Sequence, residues 1–197
     1  NLVSGNTEVG IRVDQPSAFG NVIQGNTVGP DVSGTRAIPG QKSGIAITFS
    51  GTNLIGGSVP GAGNLISGNN GSATDFGLKL YGNNNTVLGN FIGVDRTGLA
   101  ALGNTCGIKV QSVNGAVIGG TNAAERNVIA GSQYEGIDIT TSSNIWIIGN
   151  YIGCDAAGQQ ALGNQKGIDI DQSADIQIGR AGPGGRNVIS GNTNGIT

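Results

Sequence analysis

The carboxylates of this chain fall into two sets whose spacing could do chemistry. Asp138, Asp169 and Asp171 come from two copies of one phrase, "GIDI" at Gly136 and "GIDID" at Gly167. Paired carboxylates act as general acid and base when their surroundings push their pKa values apart. Asp31, Asp95 and Asp155 come from another phrase, "VGPDVSG", "IGVDRTG" and "IGCDAAG", each closed by a glycine three residues on. Asp opening a turn that Gly closes is ordinary turn chemistry. The same repeated oxygens are the weak candidates for Ca²⁺, a cation that wants six to eight oxygen ligands. No other cofactor is expected.

The remaining reactive groups are few. The sequence holds no histidine, so the commonest general base and zinc ligand is missing. Cys106 and Cys154 match no metal-binding spacing and fall at different places in the repeat, which predicts two free thiols rather than a stacked pair. Trp146 is the single tryptophan. Alternation points it outward between Ile145 and Ile147, which makes it the candidate ligand or partner contact, with cover by a neighbouring loop as the plainer reading.

Whatever positions these groups is repetitive. "NLVSGN", "NLISGN", "NVIAGS" and "NVISGN" begin at Asn1, Asn64, Asn127 and Asn187. A shorter anchor of Gly followed by alternating apolar residues starts at Gly10, Gly44, Gly77, Gly107, Gly136, Gly167 and Gly195. The unit is therefore a coil of 28–34 residues, and two unlike coils make a repeat of about 63. The local period is two: Ile137 and Ile139 flank Asp138, and Ile168 and Ile170 flank Asp169. Such alternation marks short half-buried strands, and the Gly, Asn and Asp clusters between them mark turns. No stretch has helical periodicity. These observations predict a parallel β-solenoid of about six coils, closed by backbone pairing at about 4.8 Å per coil.

The phrases "NVISGN", "GIDI", "IGN", "IGCDAAG" and "ALGN", taken together, resemble the parallel β-helix repeats of large secreted and surface-exposed bacterial proteins. That resemblance implies a right-handed, pectin-lyase-like β-helix over nearly the whole chain. It implies little about function, because the scaffold hosts polysaccharide lyases, hydrolases, adhesins and stalks. Polygalacturonase-like members use Asp clusters on one sheet, but their accompanying His, Arg and Lys motifs are not found here.

Aligning the Gly anchors puts Arg12, Ala46, Lys79, Lys109, Asp138 and Asp169 in one outward column, basic toward the start and acidic toward the end. The Gly-Asn pairs at Gly5, Gly25, Gly68, Gly89, Gly149 and Gly191 read as corners whose stacked Asn side chains bond along the rod, with a break at Gly131-Ser132. Leu162 is expected in the core and Asp155 in a turn. Phe91 and Tyr151 share a position and are expected to pack.

Composition narrows the rest. Formal net charge is −2 and the ten Lys and Arg are scattered, which argues against nucleic acid as a partner. The apolar runs are too short for membrane insertion. The chain lacks Met, which suggests a processed or excised segment. It opens and closes on the same phrase, so residues 1–197 are expected to form a single β-solenoid module, uncapped at both ends. The expected function is a non-enzymatic rigid rod of an extracellular or cell-surface protein: a filament subunit, stalk or adhesin shaft. Its partners would be other copies of itself or flanking solenoid repeats, end to end. The alternative is a carbohydrate-binding or carbohydrate-active β-helix, lyase- or hydrolase-like, acting on a polysaccharide through Asp138, Asp169 and Asp171.

Overall fold

A computed structural model describes all residues 1–197. The chain winds into a parallel β-solenoid of right-handed appearance with about six turns. This is the all-β architecture that the alternation and the coil spacing predict, consistent with the pectin-lyase-like fold class. Each turn contributes one strand to each of three sheets, of seven, seven and six strands, and every strand pairing is parallel. The long sheet contains Phe76–Tyr81, Cys106–Gln111, Glu135–Thr140 and Lys166–Asp171. The third sheet contains Asn114–Gly119 and Ser143–Ile148. The short sheet is built of two-residue strands such as Phe91–Ile92 and Tyr151–Ile152. The one helical element is a single 3-10 turn, Ala123–Glu125, and no helix is long and apolar enough to cross a membrane.

Alternation sends one side chain of each pair inward. Twenty-two buried residues, mostly Ile, Leu and Val, form one continuous core along the axis. Ile108, Ile137 and Ile168 stack in register, as do Val110, Ile139 and Ile170. Stacking like on like lets each coil bury the apolar edge of the next, so the core grows with coil number.

The corners are held by amide ladders. Before each short strand stands Asn1, Asn26, Asn64, Asn90, Asn127, Asn150 or Asn187, and each Nδ2 donates to the next Oδ1 at 2.9–3.2 Å. A second ladder before the long strands runs Asn6, Gln41, Asn69, Asn104, then Ser132, Asn164 and Asn192. A third begins Asn21, Asn53, Asn85 and continues through Ser142 and Ser173. The Gly-Asn pairs therefore do not form one line: they divide between two corners, and the break at Ser132 belongs to the second ladder alone. That ladder also explains the anchor glycine. A Cβ at Gly77 would sit 2.6 Å from the Asn104 Nδ2, and one at Gly136 would sit 2.8 Å from that of Asn164. Glycine leaves room for the amide of the next coil.

The two-coil period comes from excursions that alternate. The bridges Pro30–Ala37, Val94–Ala101 and Cys154–Ala161 each close a small loop outside the coil. These loops stack on one another across the coil between them: Arg96 N–H donates to Gly34 O and Ala156 N–H to Gly98 O, both at 2.9 Å. Beneath them a separate cluster forms from Val94, Val128 and Ala130, with Phe91, Tyr151 and Leu162 against it. Leu162 thus packs outside the main core rather than within it, because the loop it closes is too far from the axis. Phe91 and Tyr151 pack as expected.

Candidate functional site

The long sheet presents its charged residues on the outer face in the order the anchors predict. Ala46 pairs with Arg12 and Lys79, Lys109 with Lys79 and Asp138, and Asp138 with Asp169. A second column, the residue just before each anchor glycine, lies beside it: Phe76, Cys106, Glu135 and Lys166. Residues three apart on one strand meet across these two columns. Lys79 Nζ lies 5.5 Å from the Phe76 ring centre, and Lys166 Nζ lies 2.6 Å from Asp169 Oδ2.

Register brings Asp138 and Asp169 together as neighbours, but each is held by a lysine. Lys109 Nζ donates to Asp138 Oδ2 at 2.5 Å, and Thr140 Oγ1 donates to Asp138 Oδ1 at 2.9 Å. Burial raises the Asp169 carboxyl, but hydrogen bonds from Lys166 and Thr197 outweigh it and hold its pKa below the usual carboxylate value. Asp171 lies opposite Thr140 at the exposed strand end. The three residues share a face, with Asp138 and Asp169 engaged in ion pairs.

Sequence reasoning passed over Glu135 and read Cys106 only as a free thiol, which it is. Cys106 is 7% exposed. Its sulfur and one carboxylate oxygen each from Glu135 and Asp138 all lie within 4.8 Å of one another. Burial pushes the Cys106 thiol well up, and the carboxylates of Asp138 and Glu135 add to it. Burial likewise raises Glu135, reinforced by Asp138 and Asp169. The group opens into a cavity of about 340 Å³ that Asp75, Phe76 and Lys79 also line. Lys79 is shifted down by burial and then by Lys109 and Arg12. A signal was available: Glu135 and Cys106 stand just before anchor glycines, so the alignment that placed Lys109 beside Asp138 also placed Cys106 beside Glu135.

The turn aspartates sit apart from this face, one per excursion loop. Asp95 Oδ1 accepts from the backbone N–H of Thr97, Leu99 and Ala100, and Asp155 Oδ1 from those of Gln159 and Gln160. Asp31 does the same with Gly34 and Thr35, and takes the Ser33 hydroxyl. The Gln159 and Gln160 amides hold Asp155 below its ordinary pKa, and the Ser33 hydroxyl does so at Asp31. Each carboxylate closes its own loop and belongs to no group of three or more metal-ligating side chains. Both cysteines are free and buried. Trp146 points outward from the third sheet between Val117 and Gln177, 41% exposed, and lines a shallow groove with Asn84, Thr86 and Asn144.

Comparison with protein-family models, curated protein sequences and solved structures found no match.

Proposed function

We propose that this chain is a rod-forming module whose coils continue into further solenoid coils end to end, as part of a filament, stalk or adhesin shaft outside the cell or on its surface. The supporting observation is the ladder geometry. In the first ladder every internal rung both donates to the following rung and accepts from the preceding one. The three sheets run parallel in register from coil to coil, so a further coil of the same kind extends each ladder and each sheet by one rung. Identical modules joined this way make a heterologous contact that grows along one axis. Low charge and the pairing of Asp138 and Asp169 with lysines suit such a scaffold better than acid–base work on a polysaccharide by those two carboxylates.

Sedimentation velocity and electron microscopy across a wide concentration range test the stacking. The expected result is unbranched rods growing by whole chain lengths. The double variant Leu2→Lys, Ile196→Lys charges two half-exposed apolar residues at opposite ends and should stay single. A chain that remains monomeric at every concentration refutes stacking between copies.

A further inference from the structure

We propose that Cys106, Glu135 and Asp138 bind one thiophilic divalent cation of the Zn²⁺ class, clipping two neighbouring coils together. Cys106 belongs to the strand Cys106–Gln111, and both carboxylates belong to the next coil's strand, Glu135–Thr140. The three ligand atoms lie within 4.8 Å of one another. Zn–S of about 2.3 Å and Zn–O of about 2.1 Å put tetrahedral ligand atoms roughly 3.4–3.6 Å apart. Closing that gap takes a side-chain adjustment of about 1 Å, within reach of the Glu135 torsions. The two neighbouring acids are ion-paired, Asp138 with Lys109 and Asp169 with Lys166, whereas Glu135 makes no ion pair.

A second observation points to a cation. Asp75 is 7% exposed, its Oδ2 meets no donor, and it lines the same cavity. A buried carboxylate oxygen without a partner is rare and calls for an ion or a donor. The cavity also faces Lys79 and Lys109, which repel weakly held ions. A hard cation such as Ca²⁺ needs six to eight oxygens. One sulfur with two or three oxygens selects the zinc class instead. On binding, the thiol releases its proton to solvent and a sulfur–metal bond forms. Asp138, now bonded to Lys109 and Thr140, exchanges one of these partners for the ion.

Co²⁺ added to the reduced full-length chain is the probe, because thiolate-to-cobalt charge transfer gives a near-ultraviolet band. The expected result is one equivalent bound, with that band, displaced by Zn²⁺. The band should vanish in Cys106→Ala and survive in Cys154→Ala. Glu135→Gln, at a half-buried site, should keep the fold by circular dichroism and weaken binding about tenfold or more, as loss of supporting groups does at metal sites. No band in the parent chain overturns the proposal. So does an undiminished band in Cys106→Ala, or unchanged affinity in folded Glu135→Gln.

Discussion

Replacing Ser132 with Asn should make this protein more stable, and the second ladder says by how much. Ser132 is 4% exposed, its hydroxyl meets no partner, and it interrupts an otherwise continuous amide row. Below it the buried Asn104 donates through Nδ2 to Ile66 O, where Asn69 bonds both a carbonyl and the next rung. An Asn at 132 gives an Oδ1 for the Asn104 N–H and Nδ2, and an Nδ2 for Asn164 Oδ1 and the Ile92 carbonyl. Space exists, because Gly107 stands against this rung as Gly77 stands against Asn104. Four bonds at about 1 kcal/mol each, less about 1–2 kcal/mol of side-chain ordering and imperfect fit, leave a net gain of about 2 kcal/mol. For a chain of this size that raises Tm by roughly 4–8 °C. Thermal unfolding by circular dichroism measures the shift, and hydrogen exchange reads the Asn104 amide directly. Unchanged or lowered Tm, or an Asn104 amide that exchanges as fast as before, refutes the ladder reasoning.

Three further outcomes follow from the same geometry. Asn90→Ala removes a fully buried rung whose Oδ1 accepts both the N–H and Nδ2 of Asn64. Stranding that buried N–H and deleting the other bonds should cost about 3–5 kcal/mol, measurable by urea denaturation. Gly77→Ala drives a Cβ to 2.6 Å from Asn104 Nδ2 and 2.8 Å from Gly107 O, so overpacking should cost about 3 kcal/mol, with lowered Tm as the readout. Asp155 has a folded pKa below its unfolded value of about 3.9, so its stabilisation is present above that pH and is lost as pH falls through the folded value. Asp155→Asn keeps the Oδ1 acceptor and abolishes the titration; its Tm should fall less than the parent's between pH 7 and pH 3.

The coil, the register and the outward column were legible because a parallel solenoid translates sequence spacing into height. Aligning Gly107 with Gly136 fixes Lys109 over Asp138 without further information, and the structure pairs them. What lay beyond the spacing was three-dimensional. Asn26 and Asn69 both follow glycine, yet they stand at different corners, because one precedes a short strand and the other a long strand. Leu162 carries the apolar signature of a core residue, but a bridge between Cys154 and Ala161 holds its segment outside the coil. Glu135 carries no repeat signature, because the residue before the anchor glycine changes from coil to coil: Phe76, Cys106, Glu135 and Lys166.

That variation is where chemistry has to enter a rod of this kind. Repeated residues answer to the repeat: Gly10, Gly44, Gly77, Gly136 and Gly167 make room for an amide, and the stacked Ile residues fill the same slot in the core. Charges in the two outer columns answer to their neighbours. Phe76 receives Lys79, and Lys166 receives Asp169, so on those two strands the first column offers a partner to the second. At Glu135 and Asp138 both members are acids. Lys109 of the preceding coil satisfies Asp138 and leaves Glu135 facing the buried thiol of Cys106. Turn chemistry and core packing account for the repeated residues; neither requires two carboxylates and a thiol at one junction of coils. A junction of coils lined with ligand atoms that the repeat does not require is therefore a better guide to function in this fold than any motif that recurs.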